Sequence, residues 1–229
     1  TTTTAWPPEG FEGETWYLSG DGSLTTDAPT GDDGADDYVV DQDVTTGRHN
    51  RWFTNNGGGG DVVYGDRRAM DERLLTYTSA PFSEDREITG HSVITLFARS
   101  THTDGLFIAY LEDVAPDGRV TYITEGQLRG IMRQISDQPP LYRKPGPHHS
   151  QRRADALPLV PGEVAEISFE LWATSVLIRK GHRLRIAIAG ADADTFARYP
   201  LDGGAPTITV ERNARYPSRV ILPMSPAGR

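Results

Sequence analysis

Apolar and polar residues alternate with a period of two in several segments of the chain. In segment 163–172, Ala165, Ile167 and Phe169 fall on one face, and charged and hydroxyl side chains alternate with them. Successive side chains of a strand point to opposite faces, so this pattern predicts a strand with one buried face. The same period recurs at 183–188. It predicts further strands at 14–19, 73–79, 92–99, 106–114, 120–125, 207–210 and 219–224.

Turn sequences, rather than helical patterns, separate these segments. No window longer than about ten residues has an apolar stripe at helical spacing. Asp-Gly pairs, which suit turns with positive φ, occur at 21–22, 33–34, 104–105, 117–118 and 202–203. The pair at 117–118 predicts a hairpin. Around ten strands need two sheets, so we expect an all-β fold, a jelly-roll β-sandwich of two antiparallel sheets with long loops.

Two segments are too long to be simple connections between strands. Segment 28–61 combines an acidic run with Arg51, Trp52 and a run of glycines, and segment 136–162 is rich in proline. Long loops in a compact domain are typically functional or form interfaces. We therefore expect both segments to contact a partner domain.

Composition narrows the class of protein. The chain has 229 residues, of which 37% are hydrophobic and 24% charged, and this length and balance fit one globular domain over 1–229. Its net charge of −9 argues against a nucleic-acid partner. No apolar run approaches membrane-spanning length, so we expect no membrane partner. There is no cysteine, which excludes disulfides and thiolate metal sites.

Short motifs, in the same order along the chain, match those of one protein family. The longest is LWATS at 171–175, followed by RKGHRLR at 179–185. It resembles the C-terminal jelly-roll domain of a family of serine hydrolases that comprises cocaine esterases, α-amino-acid ester hydrolases and X-Pro dipeptidyl-peptidases. This domain type is described as X-Pro dipeptidyl-peptidase C-terminal-like and galactose-binding-like. Ala173 stands where the family has proline. Further matching segments are 74–82, 87–91, 111–119, 157–164 and 217–223.

The resemblance implies a place beside a catalytic domain. In this family an α/β-hydrolase carries the nucleophilic serine on a G-x-S-x-G turn, a motif absent from this sequence. We therefore expect a non-catalytic domain that packs on the α/β-hydrolase catalytic domain of the same parent polypeptide and helps shape its active-site cleft. The parent is expected to be a serine hydrolase of ester or amide acyl bonds. The chain begins at Thr1 without a methionine, and we expect it to be a fragment.

Candidate site residues lie in the two long segments. His148 and His149 precede Ser150, but adjacency in sequence does not place a base beside a nucleophile. We therefore interpret His148 and His149 as interface candidates rather than catalytic residues. Arg51 and Trp52 are the other interface candidates, because arginine and tryptophan often anchor protein contacts. We predict structural roles in the fold for Trp172, His91, His102 and His182.

A calcium site is the one metal hypothesis that the sequence raises. Oxygen ligands for Ca²⁺ are available from Asp32, Asp33, Asp36, Asp37, Asp41 and Asp43. Their spacing is not that of an EF-hand, and a solvated acidic loop is the preferred interpretation. We assign no catalytic, cofactor-binding or metal-binding residue and expect no cofactor.

Two alternative functions stay open. An autonomous carbohydrate-binding jelly-roll module would need an exposed aromatic side chain in a shallow groove. An autonomous hydrolase would need a serine, a histidine and an acid converging in one pocket. The sequence leaves homo-oligomer formation, the cellular compartment and the parent's substrate undecided.

Overall fold

The structure is a computed structural model that describes residues 4, 6–57, 60–142, 145–201 and 203–226. Within these residues it contains thirteen strands, two short α-helices and three single-turn 3₁₀ helices. The α-helices are α1 (Arg51–Gly57) and α2 (Arg68–Asp71). The strands are β1 (Glu12–Ser19), β2 (Ser23–Thr25), β3 (Ala35–Val39), β4 (Leu75–Ser79), β5 (Arg86–Gly90), β6 (Val93–Ser100), β7 (Leu106–Val114), β8 (Val120–Arg129), β9 (Ala165–Glu170), β10 (Thr174–Ile178), β11 (Arg183–Ala189), β12 (Thr207–Glu211) and β13 (Arg219–Met224).

Hydrogen bonds join the strands into one network, ordered β3-β12-β6-β13-β1-β2-β4-β11-β7-β8. In addition, β9 pairs with β6, β5 with β13, and β10 with β5. Among the described strands every pairing is antiparallel except the short parallel β2–β4 contact, which joins the two halves of the network. One buried apolar cluster contains side chains of both halves. The expected all-β sandwich is therefore confirmed, with its two layers connected through β2 and β4.

Strand β7 is the centre of the layer on which the long segment between β3 and β4 packs. We call this segment the excursion. Eight of its nine residues are buried. On its inner face, Leu111 pairs across the sheet with Ile186 in the core. On its outer face, Tyr110 and Glu112 are also buried, because the chain between β3 and β4 packs over them. Arg67 in that excursion donates to Glu112.

The hairpin predicted at the Asp-Gly pair 117–118 is confirmed. Strands β7 and β8 pair from Val114–Val120 to Leu106–Arg129. Gly118 has φ of +83°, a conformation that costs glycine little and other residues more. The Asp117 carboxylate accepts a hydrogen bond from the Arg119 amide at 3.0 Å, which fixes the turn. Asp202, of the pair at 202–203, lies outside the described residues.

The predicted strands all exist, with ends that differ by a few residues. Segments 106–114 and 219–224 match β7 and β13, whereas β8 continues to Arg129 beyond the predicted end at 125. Strands β2, β3, β5 and β10 were not predicted. Each has at most five residues, and charged or hydroxyl residues interrupt the apolar alternation.

Segment 28–61 is not a structureless loop. It contains the edge strand β3 and helix α1. Asn50 precedes α1, and its Oδ1 accepts the Phe53 amide at 2.9 Å, which caps the helix. Seven residues are too few for the sequence to show a helical period. No helix within the described ranges is long and apolar enough to cross a membrane.

Candidate functional site

Arg51 and Trp52 begin helix α1 and fasten it to β8. The Trp52 indole Nε1 donates to Glu125 Oε1 at 2.7 Å. Arg51 Nη2 donates to the Ile123 carbonyl at 3.2 Å and lies 3.4 Å from Glu125 Oε2. Both side chains are half-buried. Their contacts therefore hold the long excursion against the sheet.

Glu125 is the residue of β8 whose carboxyl group Arg51 and Trp52 contact. It is 1% exposed, and burial raises the pKa of its carboxyl group, against the opposing effects of Arg51 and Trp52. A buried carboxylate is stable only when donors and a cation compensate its lost hydration. Arg51 and Trp52 supply the cation and one donor.

We expect Trp52→Phe to lower the free energy of unfolding by about 1–3 kcal/mol, because a buried acceptor loses its donor while the aromatic packing is largely kept. Urea unfolding at pH 7 measures this loss. Trp6→Phe is the matched control, since Trp6 is 45% exposed. Equal effects of the two substitutions would show that the indole hydrogen bond contributes nothing.

His149 ties the proline-rich segment to β9. Its Nε2 lies 2.9 Å from the Ser168 carbonyl and its Nδ1 lies 3.1 Å from the Gln134 carbonyl. Only the doubly protonated ring can donate to both oxygens. The backbone carbonyl of His148 accepts the Ser136 amide at 2.8 Å. This part of the segment is therefore fixed by hydrogen bonds.

Ser150 is not paired with either neighbouring histidine. Its hydroxyl donates to Asp155 Oδ2, and both ring nitrogens of His149 face carbonyl oxygens. Ser150 therefore does not form a serine–histidine nucleophile–base pair with His149. Elsewhere, His182 Nδ1 lies 2.8 Å from Asp113 Oδ1.

The two long segments meet at the C-terminal end of β9, around Trp172. The Trp172 ring lies 5.5 Å from that of Trp52, edge to face. Trp172 also lines a groove with Tyr142, and the Gly146 amide donates to Glu170 Oε2 at 3.0 Å. Trp172 does not lie in the core, although its amide donates to the Glu125 carbonyl of β8 at the edge of the sheet. Its side chain follows the last residue of β9 and is 51% exposed.

A buried ion cluster on the outer face of β7 was missed by sequence reasoning. Arg67 Nε lies 2.8 Å from Glu112 Oε1 and 3.7 Å from Asp71 Oδ1. Arg185 Nη1 donates to Asp71 Oδ2 at 2.8 Å, and the Arg67 guanidinium lies over the Tyr110 ring at 4.5 Å. Arg67, Glu112 and Asp71 are all buried. No local pattern reveals a cluster assembled from three distant segments.

Glu112 is the carboxyl group of this cluster whose pKa is raised. Burial, and next the negative charge of Asp71, raise the pKa of Glu112 to about 8, against the opposing charge of Arg67. Ionised, Glu112 Oε2 and Asp71 Oδ1 would both be buried without a donor among the described residues. A proton on Glu112, donated to Asp71, removes that deficit.

A second buried network holds the start of the excursion. Asp192 is 2% exposed and accepts hydrogen bonds from the Thr46 amide at 3.2 Å, the Thr46 hydroxyl at 2.6 Å and the Tyr110 hydroxyl at 3.1 Å. Asn50 Nδ2 donates to the hydroxyls of Thr46 and Thr195 at 2.7 Å each. This network and the ion cluster hold the chain before and after helix α1.

The acidic residues considered for calcium are dispersed. Asp36 accepts from Arg212 and from the Tyr77 hydroxyl, and Asp41 and Asp43 form ion pairs with other arginines. The Arg212 and Tyr77 hydrogen bonds lower the pKa of Asp36, although burial opposes them. In the part of the chain that the structure describes, no three His, Asp or Glu side chains are placed to hold a metal ion. The observed contacts do not support the calcium hypothesis.

Comparisons with known proteins identify relatives over nearly the whole chain. Residues 1–221 match the model of the family described as X-Pro dipeptidyl-peptidase C-terminal non-catalytic domain. A Mycobacterium bovis protein named as a serine esterase, Mb1866c, is 54% identical over 96% of this chain and 34% of its own length. Cocaine esterase of a Rhodococcus species is 25% identical over 96% of this chain and 39% of its own length. The chain thus spans little more than a third of these relatives.

A solved structure supports the fold. The crystal structure of an aminopeptidase from a marine sediment Thaumarchaeota archaeon superimposes with a TM-score of 0.79 and 22% sequence identity. The match covers 99% of this chain and 38% of that one. At this identity the likeness concerns the fold alone.

Proposed function

Since this chain belongs to the family of X-Pro dipeptidyl-peptidase C-terminal non-catalytic domains, we propose that it packs on the α/β-hydrolase catalytic domain of its parent polypeptide. There it helps to shape the active-site cleft. The parent is a serine hydrolase of the dipeptidyl-peptidase or acyl esterase type. Its serine forms an acyl-enzyme with a histidine as general base, and both residues lie outside this chain.

The observation that carries this proposal is the family match over 1–221 together with the length of the relatives. About two thirds of each curated relative has no counterpart here, which leaves room for a catalytic domain. The chain's own chemistry agrees. It has no G-x-S-x-G turn, and Ser150 bonds Asp155 rather than a histidine.

The docking surface that we propose is the loop face, defined as Ile135, Leu141, Leu157 and Val160. These apolar side chains are between 37% and 105% exposed and lie between residues 135 and 160 of the chain. Burying them against another domain would be favourable at roughly 25 cal/mol per Å² of apolar area. We propose that the catalytic domain of the same polypeptide covers this loop face.

The four interface candidates have a supporting role in this proposal. His149 fixes the segment that carries the loop face to β9, and the His148 carbonyl accepts the Ser136 amide within that segment. Arg51 and Trp52 fix helix α1 to β8. Because all four are half-buried within the domain, we place them at the base of the interface rather than at its centre.

We expect the purified chain to hydrolyse neither p-nitrophenyl acetate nor an X-Pro-p-nitroanilide above the buffer rate. We also expect no covalent adduct with a fluorophosphonate, as read by intact mass, because Ser150, the serine that follows two histidines, donates to Asp155 rather than to a histidine. The full-length parent is the positive control. Turnover with one adduct per chain would contradict the non-catalytic assignment and identify the serine.

In the full-length parent, Leu141→Ser combined with Val160→Ser should weaken the contact between the domains at least tenfold, a loss of about 1.4 kcal/mol. Limited proteolysis and the separation of thermal transitions measure this change. Val39→Ser on edge strand β3, where Val39 is 66% exposed, is the matched control. Equal behaviour of the two variants would place the interface elsewhere.

A further inference from the structure

The groove beside Trp172 has the form of a ligand site. Its volume is about 320 Å³, and its walls include Trp172 and Tyr142. The side chains of Trp172 and Tyr142 are 51% and 69% exposed. Leu171 and Gly126 contribute to its lining. The volume lies at the lower end of the range for small-molecule sites, which is roughly 300–1,000 Å³.

Trp172 is held rigidly although its ring is exposed. Its amide donates to the Glu125 carbonyl at 2.8 Å, and its own carbonyl accepts the Thr124 hydroxyl at 2.9 Å. Its ring packs on that of Trp52 in a T-shaped contact, with centroids 5.5 Å apart. An exposed aromatic ring that is already fixed loses little conformational entropy on binding, which is a property of binding anchors.

The lining of the groove offers hydrogen-bonding atoms whose partners are missing. Gln127 Oε1 and His91 Nδ1 are buried and make no hydrogen bond with the described residues. His91 Nδ1 lies 3.9 Å from Glu170 Oε1. A buried acceptor without a donor costs about 1–3 kcal/mol. A ligand with hydroxyl groups at its edge would remove that cost.

We propose that this groove binds a pyranose ring of a carbohydrate. The apolar C–H face of the ring packs on the Trp172 indole, and hydroxyl groups at its edge donate to Gln127 Oε1 and bond His91. An anionic ligand is disfavoured by the net charge of −9. A purely apolar ligand would leave Gln127 Oε1 without a donor.

The test uses the 229-residue chain titrated with methyl β-D-glucopyranoside and methyl β-D-galactopyranoside. Saturation-transfer NMR and tryptophan fluorescence monitor binding. We expect a dissociation constant on the order of 1 mM for at least one of them, as suits a single small ring. Trp172→Ala should weaken binding at least tenfold, and Gln127→Ala should weaken it several-fold.

Controls separate this site from non-specific binding. Trp6→Ala removes another half-exposed indole, which lines a different groove, and should leave affinity unchanged. Trp172→Phe keeps a flat ring and should retain part of the affinity if the variant is folded, as shown by its unfolding curve. The proposal is overturned if neither pyranoside binds saturably, or if Trp6→Ala weakens binding as much as Trp172→Ala. Tighter binding of benzamide through Trp172 would overturn it too and indicate an apolar side chain as the occupant.

Discussion

Replacing Arg67 with methionine is expected to lower the free energy of unfolding by about 3–5 kcal/mol at pH 7. Arg67 is the cation that lies against both Glu112 and Asp71 in the interior. Its removal leaves the buried Glu112 carboxyl group without its cation and donor, whereas Asp71 keeps its closer contact with Arg185. The midpoint of guanidinium unfolding measures the loss.

The adjacent residue provides the control for this experiment. Arg68 pairs with Asp66, but its side chain is 56% exposed, and exposed ion pairs contribute little. Arg68→Met should therefore leave the midpoint almost unchanged. Similar losses for the two variants would mean that the position of the charge, buried or exposed, has no effect, which would contradict this description of the cluster.

Glu112→Gln is expected to flatten the pH dependence of stability between about pH 4.5 and pH 8. The pKa of Glu112 is raised to about 8 by burial and then by Asp71, from an ordinary value of 4.5. Between these values the folded state holds a proton that the unfolded chain has released. The contribution of Glu112 is thus fully present below about pH 4.5 and is lost as the pH rises through about 8.

Glutamine keeps the required hydrogen bonds without a titrating proton. Its amide N–H₂ can donate to Asp71, and its oxygen can accept from Arg67. The wild-type chain should lose stability relative to E112Q on going from pH 5 to pH 9, by an amount read from thermal unfolding. Glu72→Gln changes an exposed carboxylate in the same region and should leave the pH profile as in the wild type. A wild-type profile that rises with pH relative to E112Q would contradict the assigned protonation.

The fold was predictable where one face of a strand is buried. Alternation in 163–172 identified β9, because burial of one face selects apolar residues at every second position. Strand β3 was not predicted. It carries Asp36 and Asp37, whose partners Arg212 and Thr209 are brought near only by folding. Charged residues on an edge strand also discourage pairing with other chains.

The meeting of the two long segments was predictable only in part, and their role as an interface stays a prediction. Length and composition indicated both long segments, and the structure brings them together at Trp172. The exposure of Trp172 was not predictable, because the strand ends at Glu170, two residues before it. The buried ion cluster was not predictable from the sequence, since Glu112 lies on the outer face of a strand, and that face is usually solvated. Only the packing of residues from a distant segment, Arg67 among them, makes that face an interior.

Reconstitution of the parent from two pieces tests the central claim most directly. The catalytic part and this 229-residue chain would be expressed separately, mixed, and examined by sedimentation velocity and by ester hydrolysis. We predict a one-to-one complex, no activity of this chain alone, and higher activity of the catalytic part when the chain is added. Full activity of the catalytic part alone, with no complex formed, would contradict the proposed role of this domain.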